Sequence, residues 1–172
     1  MKNKEFKLEV EKSNVNWLGR KVTGSHHGTI NLKDGVLYTD EGKLTGGRFT
    51  VDLGSIKIVD VTDPDTNAQF AGHLASDDFF STALYPEAVF EITSVSDNRI
   101  KGDLTIKGIT HSVEFPAEID VKDDVLKASG TIVVDRTKYD IKFRSGNFFK
   151  NLGDTLIYND FELKVDITAK AA

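Results

Sequence analysis

The stretch SVEFPAEIDVKDDVLKASGTIVV, residues 112–134, decides the fold. Val113, Phe115, Ala117, Ile119 and Val121 share one phase of a two-residue period, while Ser112, Glu114, Glu118 and Asp120 share the other. Strict alternation of this kind marks a half-buried strand, since successive side chains point to opposite faces. After the turn signal KDD the pattern resumes with Leu126, Ala128, Gly130, Ile132 and Val134 on one phase. Two such runs about a short polar turn predict a β-hairpin. If Asp123 and Asp124 form a two-residue turn, Ala117 lies opposite Gly130 and Ile119 opposite Ala128.

The same period extends outward in both directions. Toward the C-terminus it appears in Phe161, Leu163, Val165 and Ile167; upstream it appears in Ala88, Phe90 and Ile92, then in Ile100, Gly102, Leu104 and Ile106. Shorter versions near the N-terminus are Phe6, Leu8 and Val10, then Val15 and Trp17, Ile30 and Leu32, Phe49 and Val51. About nine or ten strands joined by turns such as KDG, SDNR and KDD predict an antiparallel sheet. Its edges would be exposed unless it closed, which favours a barrel. The ten residues from Val125 to Val134 would reach roughly 30 Å, longer than the usual strand.

One segment breaks the period. In TDPDTNAQFAGHLAS, residues 62–76, Asp63 can cap a helix, Pro64 suits its first position and Asp65 its first turn. Phe70 and Leu74 then fall one turn apart with Ala71 and Ala75 beside them, giving a single apolar stripe. The following DDFF places Phe79 and Phe80 behind Asp77 and Asp78, as a capped turn that presents two rings to the interior. FRSGNFFKNLGD, residues 143–154, is a second irregular stretch with the pair Phe148 and Phe149. Both pairs are expected to line or gate the barrel entrance.

Composition narrows the class. A chain of 172 residues with 39% hydrophobic and 28% charged residues fits one globular domain, residues 1–172. A net charge of -5 without a basic face argues against nucleic acid as a partner. The absence of cysteine removes disulfides, thiolate metal sites and thiol nucleophiles. The apolar runs are only a few residues long, so no transmembrane segment is expected, and MKNKEFKLEVEK lacks the apolar stretch of an export signal. The expected location is cytoplasmic, or exported if a leader once preceded Met1.

No phosphate-binding loop, serine-hydrolase elbow, zinc-protease helix or dinucleotide fingerprint occurs. His26 and His27 are adjacent, but neighbours on an extended strand point to opposite faces, which disfavours a shared metal. Neither a metal nor a cofactor is expected. Asp77 and Asp78 are better suited to capping the turn after the helix than to acid/base work.

Whether the barrel is full or hollow is left open by the pattern. An eight-stranded barrel can be filled by side chains or hold one small ligand. Ala117, Ala128 and Gly130 share a phase with Phe90, Phe115 and other large residues, so the small positions either make room for rings and Trp17 or leave a slot. Complementary filling is the commoner outcome. Arg136 continues the phase of residues 126–134 and would point inward where the apolar run stops, able to bind an anionic head through paired donors. The alternative is a structural ion pair or a bend at Asp135. Tyr139 and Arg144 are weaker companions.

The segments HLASDDFFSTALYPEAVFEI, GDLTIKGITHSVEFPAEI, WLGRKVTGSHHGTINLKDGVL, GGRFTVDLGSI, DRTKYDI and DFELKVDITA together resemble the YceI-like family of lipid and polyisoprenoid binders. They cover nearly the whole chain in order. The resemblance implies an all-β, extended lipocalin-like antiparallel barrel with one helix near its opening and a long apolar channel. It therefore implies a hollow interior. The expected function is non-enzymatic: to sequester or carry a long-chain amphiphile, be it a polyisoprenoid, an isoprenoid quinone or a fatty-acid-like lipid. Trp17, Phe79, Phe80, Phe90, Phe115, Ala117, Ala128, Gly130, Arg136, Tyr139, Phe148 and Phe149 are the candidate ligand-binding residues. The alternatives are an enzyme using His27, His73 or Asp78 on a lipid in the same cavity, and a packed barrel serving protein contacts, as in a homodimer.

Overall fold

The computed structural model describes residues 3–22, 24–76, 79–141 and 157–171. Nine strands and one α-helix lie among them: β1 (Asn3–Leu8), β2 (Asn14–Lys21), β3 (Gly24–Asp40), β4 (Lys43–Ile58), α1 (Pro64–Ala75), β5 (Glu87–Ser96), β6 (Arg99–Ile106), β7 (Ile109–Lys122), β8 (Val125–Asp135) and β9 (Ile157–Ala171). Strands β2 to β9 close into an eight-stranded antiparallel barrel, in which β3 pairs with both β2 and β4, and β2 pairs with β9. Strand β1 continues the position of β2. It pairs with the far half of β3 and the end of β9, and a 3-10 turn at Val10–Lys12 separates it from β2.

The hairpin at residues 112–134 has the register its alternation dictates, with Ala117 opposite Gly130 and Ile119 opposite Ala128. The turns follow from local chemistry. Asp97 and Asn98 between β5 and β6 both take positive φ, as do Lys107 and Gly108 between β6 and β7. That geometry matches the twist of a two-residue hairpin. KDG, expected as a turn, instead lies inside β3, where the β3–β4 register shifts between Leu32 and Asp34. A bulge there bends a strand too long to stay straight. The helix begins where expected: the Asp63 carboxylate accepts from the Thr66 amide and Pro64 occupies the first turn. It follows β4 directly and so lies at the end of the barrel where β4 finishes.

The two ends of the barrel differ. At the β1 end, Phe6, Leu37, Leu126 and Ala169 are fully buried. Between that layer and the middle, three phenylalanines lie over three glycines. A Cβ on Gly102 would come within 2.7 Å of two atoms of the Phe90 ring, one on Gly35 within 2.7 Å of Phe49, and one on Gly130 within 3.1 Å of two atoms of Phe115. The small inward positions are thus taken by rings from neighbouring strands, which is complementary filling. Toward the helix, the packing opens.

Candidate functional site

A cavity of about 500 Å³ occupies the helix end of the barrel. Its walls come from the inward phase of the strands: Val15 and Trp17 on β2, Ile30 on β3, Val51, Leu53 and Ile56 on β4, Ala88 on β5, Leu104 and Ile106 on β6, and Phe161 and Leu163 on β9. Helix α1 turns Phe70, His73 and Leu74 onto it, and the turn that follows adds Phe79 and Phe80. Trp17, Val51, Phe70, Phe80, Phe161 and Leu163 sit on the inward phase yet are only half-buried. All six also line the cavity, so part of their apolar surface is left open to it.

Aromatic edges frame this space. Trp17 meets Phe70 edge-on at 6.4 Å between centroids, and Phe80 meets Phe161 at the same distance. His26 lies edge-on to Phe70 at 4.9 Å, and His73 to Phe79 at 5.0 Å. The Trp17 indole donates to the Lys57 carbonyl at 3.1 Å, which fixes the ring against the wall. Gly28 makes this possible: a Cβ there would stand 1.7 Å from the Lys57 oxygen.

Polar groups gather in one part of the wall. Arg20, Lys21, His26, Thr66, Gln69 and Asp160 border the cavity, on the side where Phe70 of α1 meets Trp17 of β2 and His26 of β3. Arg20 pairs with Glu162 at 2.8 Å. His26 Nδ1 lies 2.9 Å from Asp60, which also accepts from the His27 amide at 3.2 Å. Burial raises the Asp60 pKa, but the His27 amide and the His26 ring outweigh it and hold the carboxyl below the usual range.

Arg136 is the one buried charge in the wall among the described residues, 4% exposed. It points inward, as its phase predicts, but β8 ends at Asp135 and residues 136–139 form a 3-10 turn. Its guanidinium donates to the carbonyls of Ile141 at 2.8 Å and Ile157 at 3.0 Å. Burial pushes its pKa down to about 10 against the opposing pull of Asp135, so it stays cationic at neutral pH.

Of the candidate residues, Trp17, Phe79, Phe80 and Arg136 line the cavity. Phe90, Phe115, Ala117, Ala128 and Gly130 do not. They belong to the filled half, because the room left by the small residues is occupied by the rings. Tyr139 is also off the wall, 1% exposed and edge-on to His111 at 5.2 Å. Burial pushes its hydroxyl up to about 12, with Asp135 adding to the shift. Phe148, Phe149, Asp77, Asp78 and Arg144 lie outside the described residues. Phe161 and Leu163, on the inner face by their period, and Phe70, on the helix stripe, also line the cavity; the pattern that turns a residue inward does not distinguish cavity wall from filled core. The polar rim gave no sequence signal, because it is assembled from separate strand ends. Among the described residues, no three His, Asp or Glu side chains converge as a metal site.

The family model for the YceI-like domain matches residues 6–169. Protein YceI of Escherichia coli O17:K52:H18 is 37% identical over 98 residues, covering 54% of this chain and 48% of that protein. A UPF0312 protein of Staphylococcus aureus strain bovine RF122 is 41% identical over 78 residues, 41% of this chain and 46% of its own. The aligned part of the chain thus spans about half the length of these curated relatives. Among solved structures, Burkholderia cenocepacia BcnA superposes with a TM-score of 0.72 at 19% identity, covering 95% of this chain and 99% of that one. A polyisoprenoid binding domain from Saccharophagus degradans, implicated in plant cell wall breakdown, gives 0.70 at 12% identity, covering 97% and 98%. At these identities the likeness is one of fold.

Proposed function

The chain belongs to the YceI-like domain family, and from that premise we propose that it binds a single long-chain amphiphile, tail inward, to sequester or carry it. The observation that carries this is the half-buried apolar wall around a cavity of about 500 Å³. Large apolar side chains left facing a void forfeit contacts they would otherwise make, and an aliphatic tail restores them. Each CH₂ transferred from water contributes about 0.8 kcal/mol. A polyisoprenoid, such as a quinone or its precursor, is the leading ligand class, in keeping with the solved polyisoprenoid binding domain of the same fold. Trp17, Phe79 and Phe80 would contact the tail. Arg136 and the polar rim would hold the head, with the guanidinium favouring an anionic or strongly accepting group.

Chemistry on the lipid has less support. His26 and Asp60 form a histidine–carboxylate pair beside the cavity, but the wall hydroxyl in that region, Thr66, is engaged with the Asp63 carboxylate at 2.6 Å. The exposed His27 contributes its amide to Asp60, and His73 rests on Phe79. A nucleophile oriented by a base, which hydrolysis or acyl transfer needs, is not assembled by these contacts.

The test is native mass spectrometry of protein purified from its own source, followed by extraction and identification of the bound mass. A stoichiometric lipid, displaced by added isoprenoid, is the expected result. Ligand-free protein that also fails to take up any aliphatic probe would refute the proposal.

A further inference from the structure

The geometry points to a tail-length limit: the cavity accepts about 20 carbons, and a plug of three phenylalanines, Phe49, Phe90 and Phe115, sets that limit. This rests on the binding role proposed above and specifies its ligand. An engineered apolar cavity of about 150 Å³ takes up benzene, or about 25 Å³ per carbon. Applied to the 500 Å³ present here, that ratio gives roughly 20 carbons, or four isoprene units.

The barrel itself is long enough for far more. β3 runs for 17 residues, yet its contribution to the cavity wall stops at Ile30. What ends the cavity is visible one layer further along the inward phase. Phe90 follows Ala88 on β5 and faces Leu104 across β6, and both of those neighbours are cavity wall. Phe49 pairs with Phe90 across β4 and β5, and Phe90 meets Phe115 at 5.8 Å between centroids. The three adjacent rings are seated on Gly35, Gly102 and Gly130: a Cβ would collide with the ring at Gly35 and Gly102 and would press tightly on it at Gly130. All three glycines therefore serve to bring rings across the barrel, and the floor is a built feature of the packing.

A tail longer than the cavity must leave its surplus carbons at the mouth in water, where they gain nothing. Affinity should rise by about fourfold for each buried methylene and then level off. The experiment uses the whole chain and prenyl alcohols of about 10, 15, 20, 30 and 40 carbons, with competition against a fluorescent prenol as readout. The expected result is a steep rise to about 20 carbons and a 40-carbon alcohol bound no more tightly than the 20-carbon one.

Two variants move the limit in opposite directions. Phe90→Ala removes a benzene-sized ring from the floor and should carry the plateau out by about six carbons. Ala88→Phe adds a ring to the wall and should draw it in by about the same amount, a result that stands even if Phe90→Ala fails to fold. Continued tightening of at least tenfold from 20 to 40 carbons in the unmodified protein would overturn the limit while leaving the carrier role intact. A plateau unmoved by Ala88→Phe would overturn the assignment of the floor. Failure of every alcohol to bind would refute the carrier role itself, and the limit with it.

Discussion

Replacing Gly28 with alanine adds one methyl group, and the structure says where it goes. The new carbon would stand 1.7 Å from the Lys57 carbonyl oxygen, 2.8 Å from its carbon and 2.9 Å from Trp17 Cε2. Real Cβ contacts essentially never fall under 3.0 Å, so β3 and β4 must part by more than an ångström. The obstacle is backbone, which cannot rotate aside as a side chain would. Parting the strands loosens the pairing of Gly28 with Ile58 and the indole bond to Lys57. Overpacking costs about 1–3 kcal/mol and each lost hydrogen bond about 1 kcal/mol, so a loss of about 3 kcal/mol is expected. In a chain of this size that lowers the melting temperature by about 6–12 °C. Gly19→Ala supplies the matched control. Gly19 also borders the cavity, but its added carbon meets nothing within 4 Å. It should be neutral or gain up to about 1 kcal/mol through a less flexible unfolded chain. Thermal and denaturant unfolding followed by Trp17 fluorescence would measure both. Equal stabilities for the two variants, or a Gly28→Ala melting point unchanged from the parent, would refute the close-approach argument.

Phe80→Asp should weaken retention of an aliphatic probe by about 10- to 100-fold, since it replaces an aromatic contact with a charge. The half-buried Phe80 should lose less stability than Phe79, which is 9% exposed, and comparable losses of folding would count against their separate roles. Arg136→Met should reduce binding of an anionic lipid by about tenfold more than that of a neutral lipid of equal length. Because the variant also gives up the bonds to Ile141 and Ile157, its stability must be followed in parallel. Equal effects on both lipids would exclude a headgroup role. In acid, Asp60 and Asp63 should report on the approach to α1, since both carboxyls are held below the ordinary 3.8. For Asp60 the His27 amide and His26 ring outweigh burial; for Asp63 the Thr66 hydroxyl and amide act alike. A depressed folded pKa contributes stability that is full above about pH 4 and fades as the pH falls through the lower folded value. Asp60→Asn and Asp63→Asn should flatten that limb of a fluorescence titration, and an unchanged acid transition would contradict it.

The strands were legible because one physical fact, the alternation of side chains across a sheet, writes itself directly into sequence. Val113 to Val121 and Leu126 to Val134 carry that pattern so consistently that even the register of the hairpin followed from a two-residue turn. The helix was legible for a different reason: its cap, its first-turn proline and its stripe are all local. KDG shows where local rules fail. Lys33, Asp34 and Gly35 have the composition of a turn, but their neighbours Leu32 and Leu37 are buried on the inner side of one continuous strand. Tertiary pairing with β4 outweighed the turn preference, and the irregularity survived as a bulge.

The cavity was harder to read, and the reason is quantitative. Inward phase can be counted along one strand, but emptiness is a difference between the volume enclosed by eight strands and the side chains they supply. The small residues Gly102 and Gly130 looked equally able to leave a slot or to admit a ring, and nothing in either strand alone distinguishes the two. Rings settled it: Phe90 covers Gly102 and Phe115 covers Gly130, which fills one half of the barrel. In the other half, Trp17 is held to Lys57 by its indole bond, and Phe70, Phe80 and Phe161 meet edge-on around the perimeter. Large residues therefore surround the empty end while small ones underlie the full end, the reverse of what size alone suggests. Arg136 follows the same logic. Its phase could be counted, but its worth to a ligand depends on carbonyls of Ile141 and Ile157 that reach it only once the barrel has closed.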